Sequence, residues 1–395
     1  MTKKNNEVFS IIKASLWSET MTTTELAADV KEELQSQAVE GLATVVFPSL
    51  ISEKYTYVAN YVRMVEVQNK AVRVLSGAGI THAVLKGTAV GIYYPQPYLR
   101  VYGDIDILVH PEIYQSAILL LSENGFKWGG SFGKIETSLY SNGFRIELHQ
   151  SVPGLERVVT EKDIHSFIMD GLNEIEIGLI TNPSCEFPML PWQQNGLEII
   201  WHIREHLYNG LGLRQIIDWM MFTDHCLKTE KEYKEFNSIL EQTGLSKLAR
   251  TLTRMCQIYL GLDPEISWCS DVDESLCVQL MDYVMEQGNF GNKKSFEKVT
   301  KVLIRYNNPI IFVKKLQEEG LNSWPTCNKK RILRPFAWVY AAINRVPSYL
   351  SVTNCKQLVY SLRLSRKRRL LFDQLYGPDY KCRRHKINDK RGRLT

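Results

Sequence analysis

The stretch Gly103-Asp104-Ile105-Asp106-Ile107-Leu108-Val109 alternates acidic and aliphatic residues and then turns wholly aliphatic. Alternate residues of a strand point to one face. The pattern therefore predicts a strand end with Asp104 and Asp106 together on one side and Ile105 and Ile107 on the other. Two carboxylates held that close repel each other unless a cation lies between them. Oxygen donors of this kind suit Mg²⁺ or Mn²⁺, ions that keep several waters and bind substrate phosphate alongside one or two carboxylates.

On the N-terminal side, His82-Ala83-Val84-Leu85 has the pattern of a short buried strand, closed by Lys86-Gly87-Thr88. A short helix through Ile92 should follow and stop at Pro95 and Pro97. Glycine between a strand and a helix lets backbone N–H groups approach a phosphate, and a helix N-terminus favours negative charge. Thr88 adds a hydroxyl, and Lys86 and Arg100 are candidate cations for a triphosphate. On the C-terminal side, Pro111 opens a helix to about Asn124-Gly125. Lys134 to Tyr140 and Phe144 to His149 then read as two strands around Ser141-Asn142-Gly143, where Asn-Gly supplies the positive φ angles of a tight hairpin. The second strand carries Glu147 between Ile146 and Leu148. The hairpin lets it lie beside the Asp-bearing strand and brings a third carboxylate to the same sheet edge. Residues 80–150 thus read β-α-β-α-β-β, a small mixed sheet with helices on one side.

The rest reads as helices. Ile11, Ile12 and Leu16 are helically spaced, Thr22-Thr23-Thr24-Glu25 resembles an N-terminal cap, and Tyr55 to Leu75 repeats apolar residues at three- and four-residue steps. After Pro191, helical patterns run over Trp192 to Tyr208, Leu213 to Leu227, Glu232 to Leu240, Lys247 to Leu260 and on to about Leu350. The expected division is a helical N-terminal segment (1–79), a catalytic core (80–190), a helical region (191–361) and a basic tail (362–395).

Charge is unevenly spread. From Arg363 to Thr395 there are twelve Lys and Arg against three Asp, a net +9, which leaves −4 for the first 362 residues of a chain whose total is +5. The basicity belongs to the tail. Eight scattered cysteines without a CxxC pair point to reduced thiols, neither a disulfide framework nor a zinc site. The N-terminus has no unbroken apolar run with a small-residue cleavage site, and no charge-free apolar stretch reaches about 18 residues. No membrane span is expected, and the expected location is the cytoplasm.

Leu85 to Glu112 (LKGTAVGIYYPQPYLRVYGDIDILVHPE), Arg145 to His149 (RIELH), and the HIREHL and GLRQIIDW segments within His202 to Trp219 resemble a family of uncharacterised bacterial nucleotidyltransferases. That family sits in the superfamily of DNA polymerase β type, with its Gly turn, Asp-x-Asp strand and later third carboxylate. The resemblance implies an α/β (α+β) mixed-sheet nucleotidyltransferase core. It implies transfer of a nucleoside monophosphate from an NTP such as ATP to a hydroxyl or phosphate acceptor, with pyrophosphate released, an activity of EC 2.7.7 type. Asp104, Asp106 and Glu147 would be the catalytic and metal-holding residues for two Mg²⁺ or Mn²⁺ ions. Lys86, Gly87, Thr88 and Arg100 would hold the phosphates. Two features depart from the wider superfamily: Thr88 stands where many relatives have Ser or Gly, and the interval from Gly87 to Asp104 is longer.

Plainer readings compete at several positions. Arg100 is equally a structural partner for Asp104 or Asp106. His202 and His206 stand at i and i+4, a spacing that can bind zinc, but no third ligand is evident and a packed pair is favoured. Arg214 and Asp218 are one helical turn apart, so an ion pair between them is the default, with a substrate-facing role for this helix the weaker reading that the resemblance implies. His149 shares the face of Glu147, which would set it near the site, although a bystander is the commoner reading. Arg366-Lys367-Arg368-Arg369 and Lys381 to Lys390 are candidate phosphate contacts, with a solvated tail the commoner explanation. The rival to an enzyme is a non-catalytic module of the same fold that binds nucleic acid or a protein partner through this tail. Retention of all three carboxylates favours catalysis. The acceptor is left open among a tRNA end, a protein hydroxyl, and a sugar or other small molecule.

Overall fold

The computed structural model describes residues 2–152 (except 22, 24 and 134), 159–291 (except 182), 331–350 and 366–376, with a few positions between 313 and 326. Among these, seven strands form one mixed sheet: β1 (His82–Leu85), β2 (Ile105–Val109), β3 (Lys127–Trp128), β4 (Glu136–Ser141), β5 (Phe144–His149), β6 (Glu176–Thr181) and β7 (Ser184–Met189). The strand order is β3-β4-β5-β2-β1-β7-β6. The Asp-bearing strand β2 is therefore central, antiparallel to β1 and parallel to β5.

Local chemistry explains the hairpin. Asn142 and Gly143 take φ of 48° and 84°, the two left-handed residues that a two-residue hairpin turn demands, and β4 pairs β5 in antiparallel register from Ser141 opposite Phe144. The register that matters most runs through β2, where Asp106 lies opposite Glu147 of β5 and opposite Leu85 of β1.

The α-helices whose bounds fall among the described residues include α1 (Lys3–Trp17), α2 (Ala28–Ser36), α3 (Glu40–Val46), α4 (Ile51–Gly77), α5 (Gly87–Gly91), α6 (Tyr114–Glu123), α7 (Val159–Asp170), α8 (Trp192–Asn209), α9 (Leu213–Cys226), α10 (Glu230–Thr243), α11 (Ser246–Leu260), α12 (Glu274–Gln287) and α13 (Ala337–Leu350). Both sheet faces are covered, a correction to the expectation of helices on one side. Ile105, Ile107 and Val109 pack in one core with Met64 and Val65 of α4 and Ile118 and Leu121 of α6. Ala83, Leu85 and Leu108 join a second core with Ile199 of α8, Ile217 of α9 and Leu252 of α11. Every residue of β1 and β2 is buried, which accounts for their near-continuous apolar sequence. Each such aliphatic side chain stabilises the sheet by about 1.5–3 kcal/mol. The cost is that Asp106 must be accommodated inside.

Other expectations shift. The first residue of α2 is Ala28 and its cap position, Ala27, makes no side-chain cap bond, so the Thr22–Glu25 signal does not start that helix; Thr22 and Thr24 themselves lie outside the described residues. A real capping box appears at Thr229, whose hydroxyl accepts from the Glu232 N–H while Glu232 accepts from the Thr229 N–H. Residues 366–376 are helical, and Leu371, Phe372 and Leu375 join the larger core. Arg368 is buried there with its guanidinium over the Tyr283 ring, so it is not a solvated tail charge. The cluster Lys381 to Lys390 lies outside the described residues. The cysteines at 185, 226, 256, 269 and 277 are free thiols, while Cys327, Cys355 and Cys382 lie outside the described residues. No helix among the described residues is long and apolar enough to cross a membrane.

Candidate metal and nucleotide site

On β5, Arg145, Glu147 and His149 alternate onto one face, and the parallel pairing sets that face beside Asp104 and Asp106. The ligand atoms of Asp106, Glu147 and His149 all lie within 4.8 Å of one another, the one such carboxylate–imidazole cluster among the described residues. His149 Nε2 is 2.8 Å from Asp106 Oδ1. The structure places Asp104 just before β2 rather than in it, outside the 4.8 Å group. It is tied to the site through Arg145, whose guanidinium reaches Asp104 Oδ2 at 2.5 Å and Glu147 Oε1 at 2.9 Å. One cation thus spans two of the three predicted carboxylates.

Electrostatics follow from this crowding. Burial pushes the Glu147 carboxyl up to about 7, and the charges of Asp104, Glu136 and Asp106 add to the effect against the opposing pull of Arg145. Burial also works against the charge of Asp106. Lys86 and His149 more than offset it and hold that carboxyl well below the usual range. Asp106 is ionised inside the fold because the Lys86 ammonium and a hydrogen bond with His149 face it.

Lys86 owes its position to backbone strain. It has φ 47° and Gly87 has φ 28°, both left-handed values, and for a lysine this costs about 1–3 kcal/mol. Its Nζ lies 3.4 Å from Asp106 Oδ1 and 3.8 Å from Glu198 Oε1. Burial opposes the charge of Lys86, but these carboxylates outweigh it and raise its pKa.

Glu198, on α8, is only 1% exposed, and its Oε2 has no hydrogen-bond partner. Burial pushes its carboxyl up to about 7, although Lys86 pulls the other way. A folded pKa above the ordinary 4.5 means that its stabilising contribution is complete below pH 4.5 and is lost as pH rises through 7. From this group the native protein should lose on the order of a few kcal/mol between pH 5 and 8. Glu198→Gln should remove that part. Urea unfolding of both proteins at the two pH values checks this, since the rise at Glu147 is common to both and cancels; equal pH dependence would refute it.

A cavity of about 230 Å³ opens over these groups and is lined by Lys86, Gly87, Asp104, Asp106 and Glu147 from the sheet side and by residues of α8 and α9 opposite. The four phosphate-binding candidates are placed differently. Lys86 and Gly87 face the cavity. The Thr88 hydroxyl points away from it, donating to Gln68 Oε1 at 2.6 Å in the core. α5 itself is one short turn and a half, so it offers little of a helix dipole. Arg100 lines the cavity but is held by Asp218, with Nε and Nη2 at 2.8 and 2.7 Å from the two carboxylate oxygens. Its structural partner is neither Asp104 nor Asp106. Tyr94 donates a further 2.7 Å bond to Asp218. Asp218 is thereby engaged away from Arg214, whose Nη1 donates to the Val101 carbonyl instead of forming the expected i,i+4 pair.

The two helical histidines form the packed pair that their spacing suggested, with Nε2 atoms 3.0 Å apart and His206 Nδ1 3.3 Å from the Gly210 carbonyl. Burial, then the nearby His206, lowers the His202 pKa well below its ordinary value. Sequence reasoning missed Arg145 and Glu198, and it set His149 near the site without the direct contact with Asp106. Arg145 and His149 share the period-two face of Glu147, so the strand pattern carried the signal. Glu198 stands alone among Leu197, Ile199 and Ile200, a charge inside an apolar helical run.

No curated protein matches the sequence. A family model described as an uncharacterised nucleotidyltransferase matches residues 18–261, more than half of the chain and all seven strands. The match takes in the Asp-x-Asp strand, the Glu147 strand and the helices that wall the cavity, and on it the chain belongs to that family of uncharacterised nucleotidyltransferases.

Proposed function

We propose that this protein transfers a nucleoside monophosphate from an NTP to a hydroxyl or phosphate acceptor and releases pyrophosphate, an activity of EC 2.7.7 type. The observation that carries this reading is the convergence of Asp106 and Glu147 across paired strands, with Asp104 joined to Glu147 through one guanidinium. The donor set fits Mg²⁺ or Mn²⁺: three carboxylates gathered where the central strands β2 and β5 pair, already drawing in Lys86 and Arg145 as counter-charges. Asp104, Asp106 and Glu147 would hold the ions. Bound there, two ions would neutralise charge on the attacking and leaving oxygens. His149 orients Asp106, as partners of ligating carboxylates commonly do. Lys86 and the Gly87 backbone face the phosphates. The acceptor oxygen bonds to the α-phosphorus as the α–β bridge breaks, and the chain's part in this is positioning and neutralisation.

The alternative is a non-catalytic module that binds a partner through its basic tail; of that tail Arg368 is spent on the core, while Arg366 and Lys367 are exposed. Titration of the full-length protein with Mn²⁺, followed by the loss of the free-ion electron paramagnetic resonance signal, tests the reading. Micromolar to millimolar binding is expected, tightened by ATP, and lost in Asp104→Ala and Asp106→Ala. Mn²⁺ binding unchanged in both variants would contradict it.

A further inference from the structure

Phe290 is 51% exposed and lines the same cavity as Asp104, Glu147 and Lys86. Its backbone is in the left-handed region, φ 56° and ψ 20°, a conformation that costs a bulky non-glycine residue free energy. The surroundings hold it there. Gly288 and Gly291 flank it with φ of 68° and 67°. A side chain at Gly210 would strike the Gly291 nitrogen at 2.1 Å, and one at Gly212 would meet the Asn289 Cα at 2.8 Å, so the two glycine-bearing loops cross in direct backbone contact. Buried Asn289 accepts a 2.9 Å bond from Gln215 Nε2, and Gln215 Oε1 accepts from the Gly212 N–H at 3.2 Å. The phenyl ring is thus presented on a fixed loop, edge-on to His206 with centroids 4.9 Å apart.

Cationic side chains surround the same space. The Arg214 guanidinium sits 5.7 Å from the Phe290 centroid, and its buried Nε has no hydrogen-bond partner. The cavity therefore joins a planar apolar platform to Lys86, Arg214 and the carboxylates, the chemistry of a planar ring linked to a polyphosphate. We infer that Phe290 is the stacking platform for the nucleobase of the NTP, with Arg214 beside it as a phosphate or ribose contact. This rests on the nucleotidyl-transfer reading and adds where the base lies. Stacking tolerates any base, since each has a π face. The ring should favour purines over pyrimidines by area alone, without strict selection of one NTP.

Isothermal titration of the full-length protein with ATP and, separately, with inorganic tripolyphosphate, both with Mg²⁺, tests this. Phe290→Ala should weaken ATP binding roughly 5- to 100-fold, the range that loss of one base–aromatic stack gives. Tripolyphosphate binding should change less than about twofold, because it has no base to stack. Phe290→Trp should restore ATP binding, which separates loss of the ring from damage to the loop. Unchanged ATP affinity in Phe290→Ala would overturn the inference while leaving nucleotidyl transfer standing. Equal loss of ATP and tripolyphosphate, without rescue by Trp, would also overturn it, since the loop would then be only structural. If the unsubstituted protein binds neither ligand, the nucleotidyl-transfer reading fails and takes the stacking role with it.

Discussion

Asp106→Asn should lower nucleotidyl transfer by roughly three orders of magnitude or more, since charge neutralisation by bound metal is worth several kcal/mol in such reactions. Asparagine keeps the shape and leaves an oxygen for His149 and Lys86, which lie 2.8 and 3.4 Å from Asp106 Oδ1. What it removes is the negative charge that Lys86 and the hydrogen bond with His149 favour on this carboxyl. The fold should survive, because the strand register depends on backbone pairing and on Ile105, Ile107 and Leu108. Asp104→Ala should act on activity in the same direction. Asp104 precedes the strand and is partly exposed, so the variant should keep the native circular dichroism and leave Arg145 with Glu147 alone. Single-turnover rates of both variants, measured beside their unfolding midpoints, separate chemistry from folding. Wild-type rates in either would show that the carboxylate has another purpose.

Arg100→Ala should cost about 3–5 kcal/mol of stability, the usual penalty for leaving one member of a buried ion pair alone. Both partners are about 7% exposed, and the guanidinium makes two short bonds to the Asp218 carboxylate. The pair joins the loop before β2 to α9, so it fixes the wall of the cavity against its floor. Arg100→Lys should recover only part of the loss, because an ammonium cannot make the paired fork geometry. Arg100→Met with Asp218→Leu should recover more, since removing both charges leaves none unpaired. Urea denaturation of the set decides the matter. A double variant no more stable than Arg100→Ala would mean that the pair is not the source of the cost.

The legible part of this protein was the part where period and chemistry agree. β2 and the Asn142-Gly143 hairpin follow from local residues alone, and β5 brings Glu147 to Asp106 because a hairpin strand has one face to offer. Helices α8 to α11 were readable within a few residues from their apolar spacing. The β6–β7 hairpin was not. Ile177 and Leu179 are exposed and Gly178 and Pro188 interrupt it, so the usual alternation is inverted on an edge pair. Long-range pairing was equally hidden: Arg100 stands 118 residues from Asp218, while the nearer Arg214 at i−4 looked the natural partner. The Phe290 platform had only its flanking glycines as a signal. Its place over the cavity depends on the crossing of two loops that no local pattern predicts.

On the proposed reading, Asp104, Asp106 and Glu147 form a metal-dependent site for nucleotidyl transfer. The most direct test of that reading is incubation of the full-length protein with each of the four α-³²P-labelled NTPs, Mg²⁺ or Mn²⁺, and a cell extract resolved into RNA, protein and small-molecule fractions. Label should move from an NTP into one fraction, depend on the divalent ion, and vanish with Asp106→Asn. Label that moves equally well with the Asp106→Asn protein, or that moves into no fraction with any NTP, would contradict the claim.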